Sequence, residues 1–185
     1  MMKKKVLSEI FFIKENISNL KFINSELIKS HILTEYNLKN YYSNNVYWYL
    51  NNYLKLNYHR HIQFINDYVG DYYSINYDKT PVLTDNYGLR ALVCKTNESI
   101  TTHNSIQEYD LNDTPDLDLI YTVSSGKIPS YLTFQYENGR DKHKLYRIPL
   151  EQGCYILFNS HINRYITKNE NDENLINLSL HFKLL

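Results

Sequence analysis

From Leu89 onward the chain is a series of short apolar-rich runs separated by turn residues. This pattern predicts strands near 89–95, 100–111, 117–124, 130–137, 142–149, 154–159, 162–168 and 175–184. The clearest joint is Glu137-Asn138-Gly139-Arg140, because Asn-Gly supplies the two positive-φ residues of a type I′ hairpin. Further breaks fall at Ser124-Ser125-Gly126-Lys127 and Glu151-Gln152-Gly153. Before residue 85 the spacing is helical. Asn24 or Ser25 can cap a helix carrying Leu27, Ile28, His31, Ile32 and Tyr36 at three-to-four spacing. A longer helix is expected from about Asn45 to Tyr68, with Gly70 as its stop and 71–85 as a loop. Strands following helices predict an α+β fold: a sandwich or jelly-roll barrel with N-terminal helices packed on one outer face.

The length of 185 residues suits one domain, 1–185, with 1–85 as mainly helical support and 86–185 as the jelly-roll core. Lys plus Arg number 20 against 20 Asp plus Glu, which argues against a binder of nucleic-acid phosphates or of a membrane surface, since both need a net positive field. A hydrophobic content of 43% with 19 tyrosines is that of a folding chain. The two cysteines, Cys94 and Cys154, sit in apolar contexts with no CxxC spacing and read as buried free thiols. Lys3, Lys4 and Lys5 precede an apolar run, but Glu9 and Lys14 interrupt it and no cleavage site follows. A signal peptide is therefore not expected, and no run approaches the ~20 apolar residues of a membrane helix. The expected location is a reducing, cytoplasmic compartment.

Among the histidines, His59 and His61 look at first like a metal pair, but residues two apart on a helix point roughly 200° from one another and cannot share an ion. His31 reads as a helix-face residue. His103 and His161 fall early in the second predicted strand and just after the sixth, positions that a jelly roll can bring together across its mouth. Two imidazoles there suit iron, which takes nitrogen ligands and keeps open positions. The acidic residues Glu108, Asp110, Asp113, Asp116 and Asp118 lack the loop glycine of a calcium hand and read as a solvated strand and turn. The sequence contains no P-loop, dinucleotide fingerprint, Gly-x-Ser-x-Gly or His-Glu-x-x-His motif.

From about Ser99 to Phe182 the chain resembles the double-stranded β-helix of iron(II) and 2-oxoglutarate-dependent oxygenases, particularly the phage-type and prolyl-hydroxylase-like members. The segments that carry the resemblance are Thr102-His103-Asn104-Ser105, Asp118 to Val123, Tyr131 to Phe134, Ile148 to His161 and the closing strand Leu175 to Phe182. The resemblance implies Fe(II) held by His103 and His161, with 2-oxoglutarate as cosubstrate. No catalytic group is implied beyond the metal ligands. Two positions depart from the family's pattern: Ser105 stands where it has an acid, and Leu175 where it has the arginine that holds the cosubstrate carboxylate. Arg147 or Arg164 would then have to reach inward in its stead, with Tyr121 and Tyr131 as phenolic donors in the pocket. The implied activity is oxidation, in most members hydroxylation, of an unactivated C–H bond of a small-molecule or peptide substrate, without nucleic acid or membrane as partner. Two alternatives use the same fold: an inactive jelly-roll binding module for a small polar ligand or peptide, and an interaction scaffold that self-associates as a homo-oligomer.

Overall fold

A computed structural model describes residues 3–7, 10–16, 26–30, 32–34, 53–55, 67, 69–71, 73, 74, 79–84, 89–103, 114–137 and 143–185. Its strands are β1 (Lys3–Leu7), β2 (Ile10–Asn16), β3 (Tyr53–Lys55), β4 (Pro81–Leu83), β5 (Leu89–Cys94) and β6 (Ile100–His103). They continue with β7 (Leu117–Ser124), β8 (Tyr131–Glu137), β9 (His143–Pro149), β10 (Cys154–Asn159), β11 (Asn163–Ile166) and β12 (Leu175–Leu184). The larger sheet runs β1-β2-β10-β7-β12-β5-β3, with β4 also on β12, and the smaller runs β6-β11-β8-β9. The chain changes sheet at each step from β5 to β8, makes the β8–β9 hairpin within the smaller sheet, and changes sheet again at each step from β9 to β12.

Strand alternation explains the two cores. On β7, Leu117, Leu119, Tyr121 and Val123 belong to a cluster with Ile28, Ile32, Val69 and Tyr73, on the outer face of the larger sheet. Ile120 points the other way, into a cluster that draws Leu132, Phe134, Ile148, Ile162 and Ile166 from the smaller sheet and therefore fills the space between the sheets. Because both faces of β7 are covered, every residue from Leu117 to Ser124 is buried. The same double coverage makes β10 read as an apolar run rather than as an alternating strand, and it buries β12 from Leu175 to Phe182.

The strands expected from the sequence after residue 89 match β5 and β7 to β12 closely, and Glu137 pairs with His143 as a hairpin after Glu137 requires; of the expected strand 100–111 only Ile100–His103 is described, and residues 104–113 and 138–142 lie outside the described set. Gly153 takes φ 78° in the β9–β10 turn, where a side chain would be strained, and its N–H donates to Thr122 O at 2.9 Å. Both cysteines are buried and free.

The N-terminal part differs from the expectation of mainly helical support. Residues 26–30 and 32–34 are helical as expected, with Ile28 and Ile32 buried. Tyr53–Lys55, expected within a long helix, is instead a strand on the edge of β5, with Leu54 opposite Ala91. Tyr and Leu at three-to-four spacing serve a strand as well as a helix, and pairing with an open sheet edge overrides the local preference. Residues 67, 69–71, 73 and 74 are helical, so Gly70 is no stop. Pro81–Leu83, expected as loop, pairs with the end of β12, where Pro at a strand start costs no ladder bond. β1 and β2 add two more strands, β2 docking on β10. Among the described residues no helix is long and apolar enough to cross a membrane.

Candidate functional site

The inward faces of β7 and β12 carry polar residues where the pattern would accept apolar ones. Alternation with the outer cluster residues Ile176, Leu178 and Leu180 places Asn177, Ser179 and His181 on the inner face of β12. On β7 the same rule places Asp118 and Thr122 inward, in line with Ile120. Register sets Phe158, Asp118 and His181 side by side across β10, β7 and β12. From the opposite sheet Arg164 of β11, between the inward Ile162 just before that strand and Ile166 within it, reaches the same place.

These residues form a buried ionic cluster. The Arg164 Nη2 donates to Asp118 Oδ2 at 2.7 Å, and the His181 Nδ1 lies 2.6 Å from Asp118 Oδ1, with Asp118 fully buried. A carboxylate only accepts, so Nδ1 carries a proton toward Asp118, and Nε2 lies 3.4 Å from Ser179 Oγ. The other terminal nitrogen of Arg164, Nη1, donates to Ser160 O at 3.3 Å and Ile162 O at 3.4 Å, and the guanidinium carbon stands 5.1 Å from the Phe158 ring centroid. Ser160 is itself fixed, its hydroxyl donating to Pro115 O and its N–H to Asp116 O. Farther along β12, Thr122 donates to Asn177 Oδ1 at 2.9 Å. The Asn177 Nδ2, also buried, has no hydrogen-bond partner among the described residues.

The residues singled out from sequence are dispersed. Arg164 alone of the four expected cosubstrate ligands is buried on the inner face. Tyr121 is buried in the outer cluster, on the far side of the larger sheet from Asp118. Tyr131 is half-buried and alternates with the inward Leu132, so it lies on the outer face of the smaller sheet; Arg147 is exposed there opposite Thr133. Leu175 is apolar core, opposite Cys94. His161 is exposed in the turn between β10 and β11. His103 ends β6, and its backbone is registered with Arg164, not with His161. The side chain of His103 lies outside the described residues, as do Ser105, Glu108, Asp110, His31, His59 and His61. Asp118, expected at a solvated strand, is instead the centre of the buried cluster. His181, Asn177 and Ser179 carried no motif, and only their spacing of two along β12 marked them.

The buried cluster of Asp118, Arg164 and His181 is not arranged to hold iron. No three His, Cys, Asp or Glu side chains converge among the described residues. The buried pair of ligand type, Asp118 and His181, is turned inward on itself, with both carboxylate oxygens engaged and a guanidinium 2.7 Å away. A fixed cation beside a would-be ligand opposes a divalent ion.

No protein-family profile and no curated protein matches this sequence. Solved structures do. A prolyl-4-hydroxylase from Pseudomonas putida superposes with a TM-score of 0.59 at 8% identity, over 93% of this chain and 91% of that one. SnoK, a non-heme α-ketoglutarate-dependent carbocyclase of nogalamycin biosynthesis, gives 0.63 at 10% identity, over 92% and 79%. The non-heme monooxygenase ThoJ, in a nickel complex, gives 0.62 at 11% identity, over 93% and 73%. The chain shares their fold. At such identities the likeness is one of architecture, and the chemistry must be argued from the site.

Proposed function

We propose that this chain is a double-stranded β-helix, β5-β12-β7-β10 facing β6-β11-β8-β9, that works as a metal-independent binding module for a small polar ligand rich in oxygen acceptors, such as a carboxylate. The observation that carries this reading is the Asn177 Nδ2, a fully buried donor on the inner face without a partner among the described residues. Such a donor costs about 1–3 kcal/mol unless something accepts from it, and a ligand oxygen between the sheets would do so. The Arg164–Asp118 pair on the same inner face keeps this part of the interior polar.

The test is thermal unfolding in the presence of a panel of mono- and dicarboxylates that includes 2-oxoglutarate. A ligand at a hundred times its Kd adds about 2.7 kcal/mol, which for a chain of this size raises the Tm by roughly 5–10 °C. Asn177→Leu should remove that shift, with a small net change in the free protein because the unpaired Nδ2 goes but the buried Thr122 hydroxyl loses its acceptor. A panel without any shift, or a shift unchanged in Asn177→Leu, defeats the proposal.

A second reading, an iron(II) and 2-oxoglutarate-dependent oxygenase that hydroxylates a C–H bond, is favoured by the likeness over nine-tenths of the chain to enzymes named for α-ketoglutarate. In it His103 and His161 hold the metal and Arg164 the cosubstrate carboxylate. The protein's own part would be to orient the substrate and exclude water. Anaerobic titration with iron(II) and 2-oxoglutarate separates the two readings: a visible charge-transfer band lost in His161→Ala supports the oxygenase, and a folded protein without the band excludes it.

A further inference from the structure

The register of β6 and β11 sets the backbone of residue 164 across from that of His103, and alternation with Ile166 turns residue 164 inward. An arginine stands there, and both of its terminal nitrogens are engaged. Asp118 of β7 takes one terminal nitrogen at 2.7 Å, the carbonyls of Ser160 and Ile162 take the other, and the ring of Phe158 from β10 lies against the guanidinium. The groups nearby that have the chemistry of metal ligands are already committed: Asp118 through both oxygens, His181 through its Nδ1. We propose that Arg164, clamped by Asp118, is a built-in cation that occupies the carboxylate a divalent ion would need, so that this cluster excludes metal and Arg164→His would open a metal site on residues 118, 164 and 181.

The charge argument sets the scale. Even with strong screening, two unit charges about 4 Å apart repel enough to lower affinity roughly a thousand-fold, and a divalent ion is opposed more strongly. The guanidinium cannot evade this by losing its proton. Replacing it by imidazole removes the charge and frees one oxygen of Asp118, turning an ion pair into a set of nitrogen and oxygen donors of the kind first-row metals take.

The inference rests on the metal-independent reading above but fails separately from it. The experiment is an anaerobic titration of the full-length protein with cobalt(II), followed by its visible d–d absorption, in wild type, Arg164→Lys, Arg164→His and His161→Ala. Wild type and Arg164→Lys should show no saturable band, and Arg164→His should gain one, with affinity at least about a thousand-fold above wild type. A saturable band in wild type that is lost in His161→Ala overturns the proposal, as does a folded Arg164→His protein without a band. The wild-type titration needs no variant, so the proposal stays refutable if Arg164→His does not fold. A carboxylate panel without effect would defeat the proposed ligand yet leave this outcome intact.

Discussion

Breaking the Arg164–Asp118 pair one side at a time should be far more damaging than removing it whole. Both side chains are buried, with Asp118 at 0% and Arg164 at 2% exposure, so each charge depends on the other for the solvation it gave up on folding. Arg164→Met takes away the carboxylate's arginine partner and the contact with Phe158. Asp118→Asn still accepts from His181 Nδ1 but leaves a buried guanidinium without a counterion. Each single variant should lose about 3–5 kcal/mol, the usual cost of stranding one buried charge. At about 2–4 °C per kcal/mol for a chain of this length, that is a fall in Tm of roughly 6–20 °C. The double variant, with neither charge, should recover most of the loss, because the desolvation penalty disappears together with the attraction. Urea unfolding of the four proteins followed by circular dichroism gives the coupling energy directly, and it should exceed about 2 kcal/mol. Two penalties that add to within about 0.5 kcal/mol would refute the reasoning, since additivity is the behaviour of groups that do not interact.

Three further outcomes follow from the packing. Gly126→Ala would bring a Cβ within 2.6 Å of the Asn171 Cβ and into overlap with its amide, which holds both Ile128 N at 2.8 Å and Ile128 O at 2.7 Å. The cost should be about 1–3 kcal/mol in chemical denaturation, and an unchanged midpoint would contradict the close approach. Burial, with Glu98 adding to it, pushes the Cys94 thiol from 9.0 up to about 12. The folded value lies above the unfolded one, so stability held below pH 9 should drain away between pH 9 and 12, and Cys94→Ala should flatten that slope; equal slopes in the two proteins would be inconsistent with a buried thiol. Phe134→Ala empties the space beside Phe158, whose ring centroid is 4.9 Å away, and should cost about 3–5 kcal/mol, measured as a fall in the urea midpoint.

The strands after residue 89 were legible because turn residues bracket them: Gly153 takes the positive φ its turn needs, and β7, β10 and β12 begin and end where the apolar runs do. The N-terminal part was less so, for a physical reason. Tyr53–Lys55 becomes a strand only because β5 offers an unpaired edge, and Pro81–Leu83 only because β12 extends far enough to meet it. Neither partner is visible within a window of ten or twenty residues, and a short segment takes its conformation from whatever edge it meets.

The site was harder still, because each member reads locally as something else. Asp118 sits among other acids near a proline and looks solvated; in place, the strands on both sides of β7 and the sheet facing it leave it no water. His181 looks like one residue of a closing strand, and only registration beside Asp118 brings its Nδ1 to 2.6 Å from the carboxylate. Arg164 was visible as a candidate because it follows His161 by three residues, but sequence distance favours the histidine as the inward group, whereas register favours the arginine. One residue of register exchanges the two faces of a strand, so His161, three residues before the inward Arg164 and beyond the start of β11, has no strand to aim it between the sheets. Residue 164 is inward in this frame, and the guanidinium it carries meets Asp118 there. A buried carboxylate requires a cation, and the chain supplies its own.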